Sequence, residues 1–114
     1  MAKVGAFDFY CEVALKEGAD IKKVFETERV LAFHHTKPAY KKHVVVIPKK
    51  HVHDLRYVDD KELLAELIDT CRNILRDWDE NEIELKGARV ITNLGKFQDT
   101  PHLHFHVIAG EKII

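Results

Sequence analysis

Pro101-His102-Leu103-His104-Phe105-His106-Val107-Ile108 decides how this chain is read. Polar and apolar residues alternate along it. In a β-strand, side chains alternate faces with a period of two. The alternation predicts a final strand over His102–Ala109, with His102, His104 and His106 on one face. Leu103, Phe105 and Val107 then point to the other face, where a helix is expected to cover them. Same-face neighbours on a strand lie about 6.5–7 Å apart, so several imidazoles can meet one polyanionic group. Imidazole is a nucleophile near neutral pH, because its ordinary pKa is about 6.5. Phosphoryl chemistry needs such a nucleophile and donors that tolerate charge on the non-bridging oxygens. The rival reading is a metal site, since histidines at i and i+2 on one strand can both reach a metal ion.

Outward from this stretch, the preceding segments supply a sheet and one helix. Ala88–Leu94 carries Val90, Ile91 and Thr92 and reads as a strand, and Gly95–Pro101 as a loop. Asp60–Asp79 reads as a helix, with Leu64, Leu67, Ile68, Cys71, Ile74, Leu75 and Trp78 as its apolar stripe. Asp59 followed by Glu62 resembles a capping box at its start. His43–Lys49 holds the β-branched run Val44-Val45-Val46-Ile47 ending at Pro48, as expected of a strand inside a sheet. Lys23–Glu26 and Val30–His34 read as a hairpin. The fold class predicted is α+β: a mainly antiparallel sheet covered on one side by one long helix.

The 114 residues suit one domain, 1–114, and are too few for two. With 46% hydrophobic and 32% charged residues, disorder is excluded. A formal charge of −1 gives no reason to expect a nucleic-acid or membrane-surface partner. The two cysteines do not make a disulfide framework, and Cys71 reads as a small buried hydrophobe. Asp8 sits where the apolar core of a secretory signal would be, and Val44–Ile47 is far short of a membrane span. A cytoplasmic protein is expected.

His102-Leu103-His104-Phe105-His106-Val107-Ile108 resembles the signature of the histidine-triad (HIT) family, His-φ-His-φ-His-φ-φ with φ apolar. Other landmarks agree. Val30-Leu31-Ala32-Phe33 with Lys37-Pro38 is similar to the family's first strand and turn. His43-Val44-Val45-Val46-Ile47-Pro48-Lys49-Lys50-His51 is similar to its second landmark. Asn93, Gly95 and Gln98 stand where the family has an Asn and a Gly/Gln loop. The resemblance spans Phe7 to Ala109.

The resemblance implies a nucleotide hydrolase or transferase acting at the α-phosphate of nucleoside monophosphate conjugates through a covalent nucleotidyl-histidine. It implies His104 as nucleophile, His106 as ligand of the phosphate oxygens, His102 as support and His43 as the fourth histidine. Asn93 and Gln98 would hydrogen-bond the nucleotide, phosphate or leaving group. No cofactor is required by this chemistry, and a homodimer is expected by analogy. Dinucleoside polyphosphate hydrolysis, a nucleotide-binding module without turnover and a zinc-stabilised protein without catalysis stay open as alternatives.

Three positions depart from the family pattern. His35 stands where many relatives carry an acidic residue for the ribose hydroxyls, which a histidine cannot replace as a double acceptor. Asp99 follows Gln98 where a hydroxyl residue is common, and the loop to Thr100 is shorter. The positions of the zinc ligands found in some relatives correspond to Asp8, Cys11, His51 and His102, a set zinc can accept. If His102 binds zinc, it is structural rather than a phosphate ligand. The lysines 41, 42, 49 and 50 read mainly as solvated, His34 and His53 as surface residues, and Trp78 as core.

Overall fold

The computed structural model describes residues 20–82 and 85–113. Five strands form one antiparallel sheet: β1 (Lys23–Glu26), β2 (Val30–His34), β3 (Tyr40–Pro48), β4 (Ala88–Thr92) and β5 (Phe105–Lys112), in the order β1-β2-β3-β5-β4. The long helix α1 (Lys61–Asp77) lies between β3 and β4 in sequence and continues into a wider turn over Trp78–Glu82. The α+β architecture expected from the sequence is therefore the one observed. β3 is buried along Val44–Ile47, as a β-branched run flanked by partner strands on both sides should be.

The period of two divides the sheet into two faces. Val30, Ala32, Val44, Val46, Phe105, Val107 and Ala109 face α1 and pack with Leu63, Leu67, Cys71, Ile74 and Trp78. Leu103 joins this cluster from just before β5. Burying each larger apolar side chain is worth about 1.5–3 kcal/mol, so this layer fixes the register of the central strands. Leu31, Phe33, Val45 and Ile47 form a smaller cluster on the opposite face, leaving that face for the histidines.

Several boundaries differ from the sequence reading, each for a physical reason. The helix is capped by Asp60, whose carboxylate accepts from the backbone N–H groups of Glu62 and Leu63; Asp59 is not the cap. Its buried stripe includes Leu63 and Thr70, while Ile68 is 40% exposed. β3 starts three residues before His43, and β4 stops at Thr92.

The largest difference concerns the histidine stretch. β5 begins at Phe105, and His102, Leu103 and His104 precede it. Phe105 pairs with Val46 of β3 and Thr92 of β4, the last rungs of both ladders. Beyond Val46, the proline at position 48 has no N–H to donate. The departing segment satisfies its polar groups otherwise. Leu103 N–H donates to the Val52 carbonyl at 2.6 Å, and His102 N–H to that of Thr100 at 2.8 Å. His102 and His104 therefore do not share a continuous strand with His106.

Among the described residues no helix is long and apolar enough to cross a membrane.

Candidate active site

His43, Val45 and Ile47 of β3 lie on the face away from α1, as does Phe33 of β2, which pairs with Val45. His106 is the cross-strand partner of Val45, so it shares that face and lies diagonal to His43. Diagonal neighbours are within reach of long side chains, and the two rings meet: His43 Nε2 and His106 Nδ1 are 2.9 Å apart. His35 follows β2 directly. Its backbone N–H donates to the His43 carbonyl at 2.9 Å, which continues the pairing one step and brings its ring 4.3 Å from that of His43, centroid to centroid. The His104 ring lies 4.8 Å from that of His106. Four imidazoles thus gather on one face: His35, His43, His104 and His106.

The hydrogen bonds assign each ring its proton. His104 Nδ1 lies 2.8 Å from the His102 carbonyl, which can only accept, so Nδ1 carries the hydrogen and Nε2 the lone pair. The Ala39 N–H donates to His43 Nδ1 at 3.0 Å; His43 Nε2 is therefore protonated and donates to His106 Nδ1. His106 in turn carries its hydrogen on Nε2. The Lys37 N–H donates to His35 Nδ1 at 2.9 Å, so the His35 hydrogen is on Nε2 as well. One ring offers an Nε2 lone pair, and two neighbours offer Nε2–H groups.

Burial keeps these rings neutral. It lowers the pKa of His43 to about 4, helped by the charge of His35, and that of His106 to about 3, helped by His104, His43 and His35. His104 is also lowered by burial, against the opposing effects of the His102 carbonyl and of Asp99. His35 is lowered by burial, with Asp99 opposing.

His104 is only 2% exposed but forms part of the wall of a cavity of about 390 Å³. Phe33, His35, Thr36, Lys37, Val45, Asp99, Thr100 and His106 line the rest. His35, Asp99, His104 and His106 therefore line one cavity. Thr36, Lys37 and Thr100 join the site without belonging to the histidine motif. Their place follows from flanking His35 and Asp99 in two loops.

Other candidates are placed differently. The Gln98 amide donates to the His53 carbonyl at 2.5 Å, and neither Gln98 nor Asn93 lines the cavity. His102 is fully buried, and its Nε2 donates to the Pro48 carbonyl at 2.8 Å. Its backbone carbonyl, not its ring, serves the site by orienting His104. His53 is not a surface residue: its side chain is 14% exposed, and Nδ1 is buried without a hydrogen-bond partner. His34 is exposed. Asp54, unremarked in the sequence, is completely buried. It accepts from Arg56 through the backbone N–H at 2.9 Å, Nε at 3.0 Å and Nη2 at 2.8 Å. The Arg56 guanidinium holds the Asp54 carboxyl below the usual carboxylate range. This pair fixes the turn whose His53 carbonyl carries Gln98.

Two histidine groups are close enough to be considered as metal ligands. Asp8 and Cys11 of the suggested zinc set lie outside the described residues. The rings of His51 and His102 are 5.3 Å apart. His102 Nε2–H donates to a carbonyl, the orientation usual for a ligating imidazole, and this puts the lone pair on Nδ1. His51 and His102 therefore fit as half of a zinc site. His35, His43 and His106 also have nitrogens within 4.8 Å of one another. Here the outer hydrogen bonds have the wrong sense. His35 and His43 both use Nδ1 to accept a backbone N–H, so their Nε2 atoms carry hydrogen. A metal there must break those bonds, whereas an anion is met by the N–H groups as they stand.

Residues 16–113 match the family model of the HIT domain. An uncharacterised HIT-like protein of Helicobacter pylori is 35% identical over 92 residues, which is 79% of this chain and 85% of that protein. An adenosine 5'-monophosphoramidase of Danio rerio is 29% identical over 102 residues, 88% of this chain and 62% of that protein. Among solved structures, a HIT family hydrolase from Clostridium thermocellum superposes with a TM-score of 0.77 at 29% identity, covering 91% of this chain and 90% of that one.

Proposed function

Because the chain belongs to the HIT family, we propose that it is a nucleotide hydrolase or transferase cleaving phosphoramidate-type conjugates at the α-phosphate, with His104 as the catalytic nucleophile. The observation that carries this reading is the His104 tautomer. Its Nδ1–H is tied to the His102 carbonyl, and its Nε2 lone pair belongs to a ring on the wall of the cavity.

In the first step, His104 Nε2 forms a bond to phosphorus. The P–N bond of the conjugate breaks, and the amine departs with the bonding pair and takes one proton from solvent. The nucleotidyl-imidazolium retains its Nδ1–H on the His102 carbonyl, which stabilises the positive ring. In the second step, water attacks phosphorus, the P–Nε2 bond breaks, and the lone pair returns to His104. The proton lost by water goes to solvent, and the nucleoside monophosphate is released.

His106 and His35 supply the Nε2–H groups for the non-bridging oxygens. His43 holds His106 in the donating tautomer. Burial lowers the pKa of all four rings and so favours their neutral forms, which leaves the Nε2 lone pair on His104 and the Nε2–H groups on His106 and His35. Charge developing on the oxygens is thus met by donors already in place. His51 and His102 would supply two ligands of a structural zinc, which would hold the fold and take no part in the transfer. Assembly as a homodimer belongs to the same reading by family resemblance.

Similarity to an adenosine 5'-monophosphoramidase of Danio rerio and to a HIT family hydrolase of Clostridium thermocellum supports this reaction class. The test is steady-state turnover of a fluorogenic adenosine 5'-phosphoramidate. Wild type is expected to turn over, and His104→Ala to lose activity by at least about a thousandfold. Nucleotide binding without turnover across a panel of phosphoramidates and dinucleoside polyphosphates would favour a binding module instead.

A further inference from the structure

The cavity wall is not made of donors alone. It also carries two charged side chains, Lys37 and Asp99. Their relations to the imidazoles differ. Lys37 meets His35 through its backbone N–H, at the ring nitrogen turned to the main chain. The Asp99 carboxylate acts by charge on both His35 and the nucleophile His104. His43 and His106 are shifted by burial and by the other histidines. The cavity lining therefore combines imidazole N–H donors with one carboxylate acceptor, Asp99.

A phosphate within reach of His104 offers only acceptors on its non-bridging oxygens. The Nε2–H groups of His106 and His35 match them, but an ionised carboxylate accepts and never donates. Facing those oxygens, Asp99 repels. Of the groups on phosphorus, the ribose offers neutral hydroxyl donors, and the leaving group alone can bring a positive or a negative charge to Asp99. A phosphoramidate nitrogen carries N–H, and an amine leaving group with a distal ammonium adds a cation. A second phosphate brings further acceptors and negative charge.

We infer that Asp99 is a specificity-determining residue that selects conjugates whose leaving group is an amine, above all a cationic one, and selects against anionic leaving groups. This inference rests on the reading of the site given under the proposed function. It also separates the two reactions that the histidines alone leave open, because a dinucleoside polyphosphate places its second phosphate against the carboxylate. Discrimination of this kind works as much by repelling the wrong partner as by attracting the right one. Asp99 is exposed, so screening limits its effect to roughly five- to tenfold for one charge.

The experiment measures kcat/KM for three adenosine 5'-phosphoramidates with leaving amines of matched length. One ends in an ammonium, one in a methyl group and one in a carboxylate. Wild type, Asp99→Asn and Asp99→Ser are compared at low and high salt. Wild type is expected to favour the ammonium over the carboxylate conjugate by about tenfold or more, with the ratio narrowing in salt. Both variants bring the ratio within about twofold of unity, partly through a gain on the carboxylate conjugate. A general disturbance of the loop lowers all three rates and cannot produce that gain. Turnover of all three conjugates with a ratio unchanged by Asp99→Asn overturns this inference and leaves the proposed reaction standing. No turnover of any conjugate by wild type overturns the reaction, and the preference with it.

Discussion

Acidification should destabilise the fold through one hydrogen-bonded pair, His43 and His106. Their pKa values are about 4 and about 3, against an ordinary value near 6.5. A histidine depressed in the folded state binds its proton first in the unfolded chain. Stability is then fully present above about pH 6.5 and is lost as pH falls toward the folded values. For one group moving from 6.5 to about 4, lowering the pH from about 7 to about 4.5 removes roughly 2.5 kcal/mol. Two corrections apply. The rings share a hydrogen bond and take their first proton as a unit, so their losses do not add. His106 is only partly buried, which screens the charge. A net loss of about 1–2 kcal/mol remains. The assay is urea unfolding at both pH values for wild type and for His43→Gln/His106→Gln, in which the pair cannot titrate. Glu26, Asp54 and Asp60, whose carboxyls are held low by their partners, lose stability equally in both proteins. Wild type should lose about 1–2 kcal/mol more than the double variant. Equal losses would refute the claim that these rings are buried neutral.

Further outcomes follow from the same geometry. The acid limb of kcat/KM should lie below pH 6.5, because burial lowers the His104 pKa; a limb at or above pH 7 in a substrate-saturation series contradicts this. Leu67→Ala removes a fully buried side chain under the sheet and should cost about 2–5 kcal/mol in urea unfolding. Asp60→Ala removes the helix cap with its two backbone acceptor contacts and should cost about 1 kcal/mol, whereas Asp59→Ala should cost less than about 0.5 kcal/mol in the same measurement.

The sequence made much of this molecule legible because binary patterning and burial coincide. Leu103, Phe105 and Val107 do face the helix, and Val44–Ile47 is a buried internal strand. What alternation could not convey is where a strand stops. His102–His104 continue the pattern of polar and apolar residues, yet lie outside the ladder, because the partner strand ends at a proline and the backbone of 102–103 bonds to Thr100 and Val52. Pro48 itself was the available signal. The departure is what aims the His102 carbonyl at His104 Nδ1, a contact no periodicity encodes. The capping residue was missed by one position because Asp59 and Asp60 are adjacent, and only geometry shows which carboxylate reaches Leu63 N–H. Asp54 was missed because a lone Asp after a strand reads as a solvated turn; its burial depends on Arg56 two residues on. Gln98 was placed in the site by its position, but its amide is taken by the carbonyl of His53.

The account depends most directly on a covalent bond between His104 and phosphorus. Rapid acid-free quenching of the protein with an adenosine phosphoramidate, followed by peptide mass spectrometry, tests it. The expected result is one adenylyl group on the peptide carrying His104, absent from His104→Ala and transient in wild type. An adduct on His43, His106 or His35, or turnover with no adduct at any time, would contradict it.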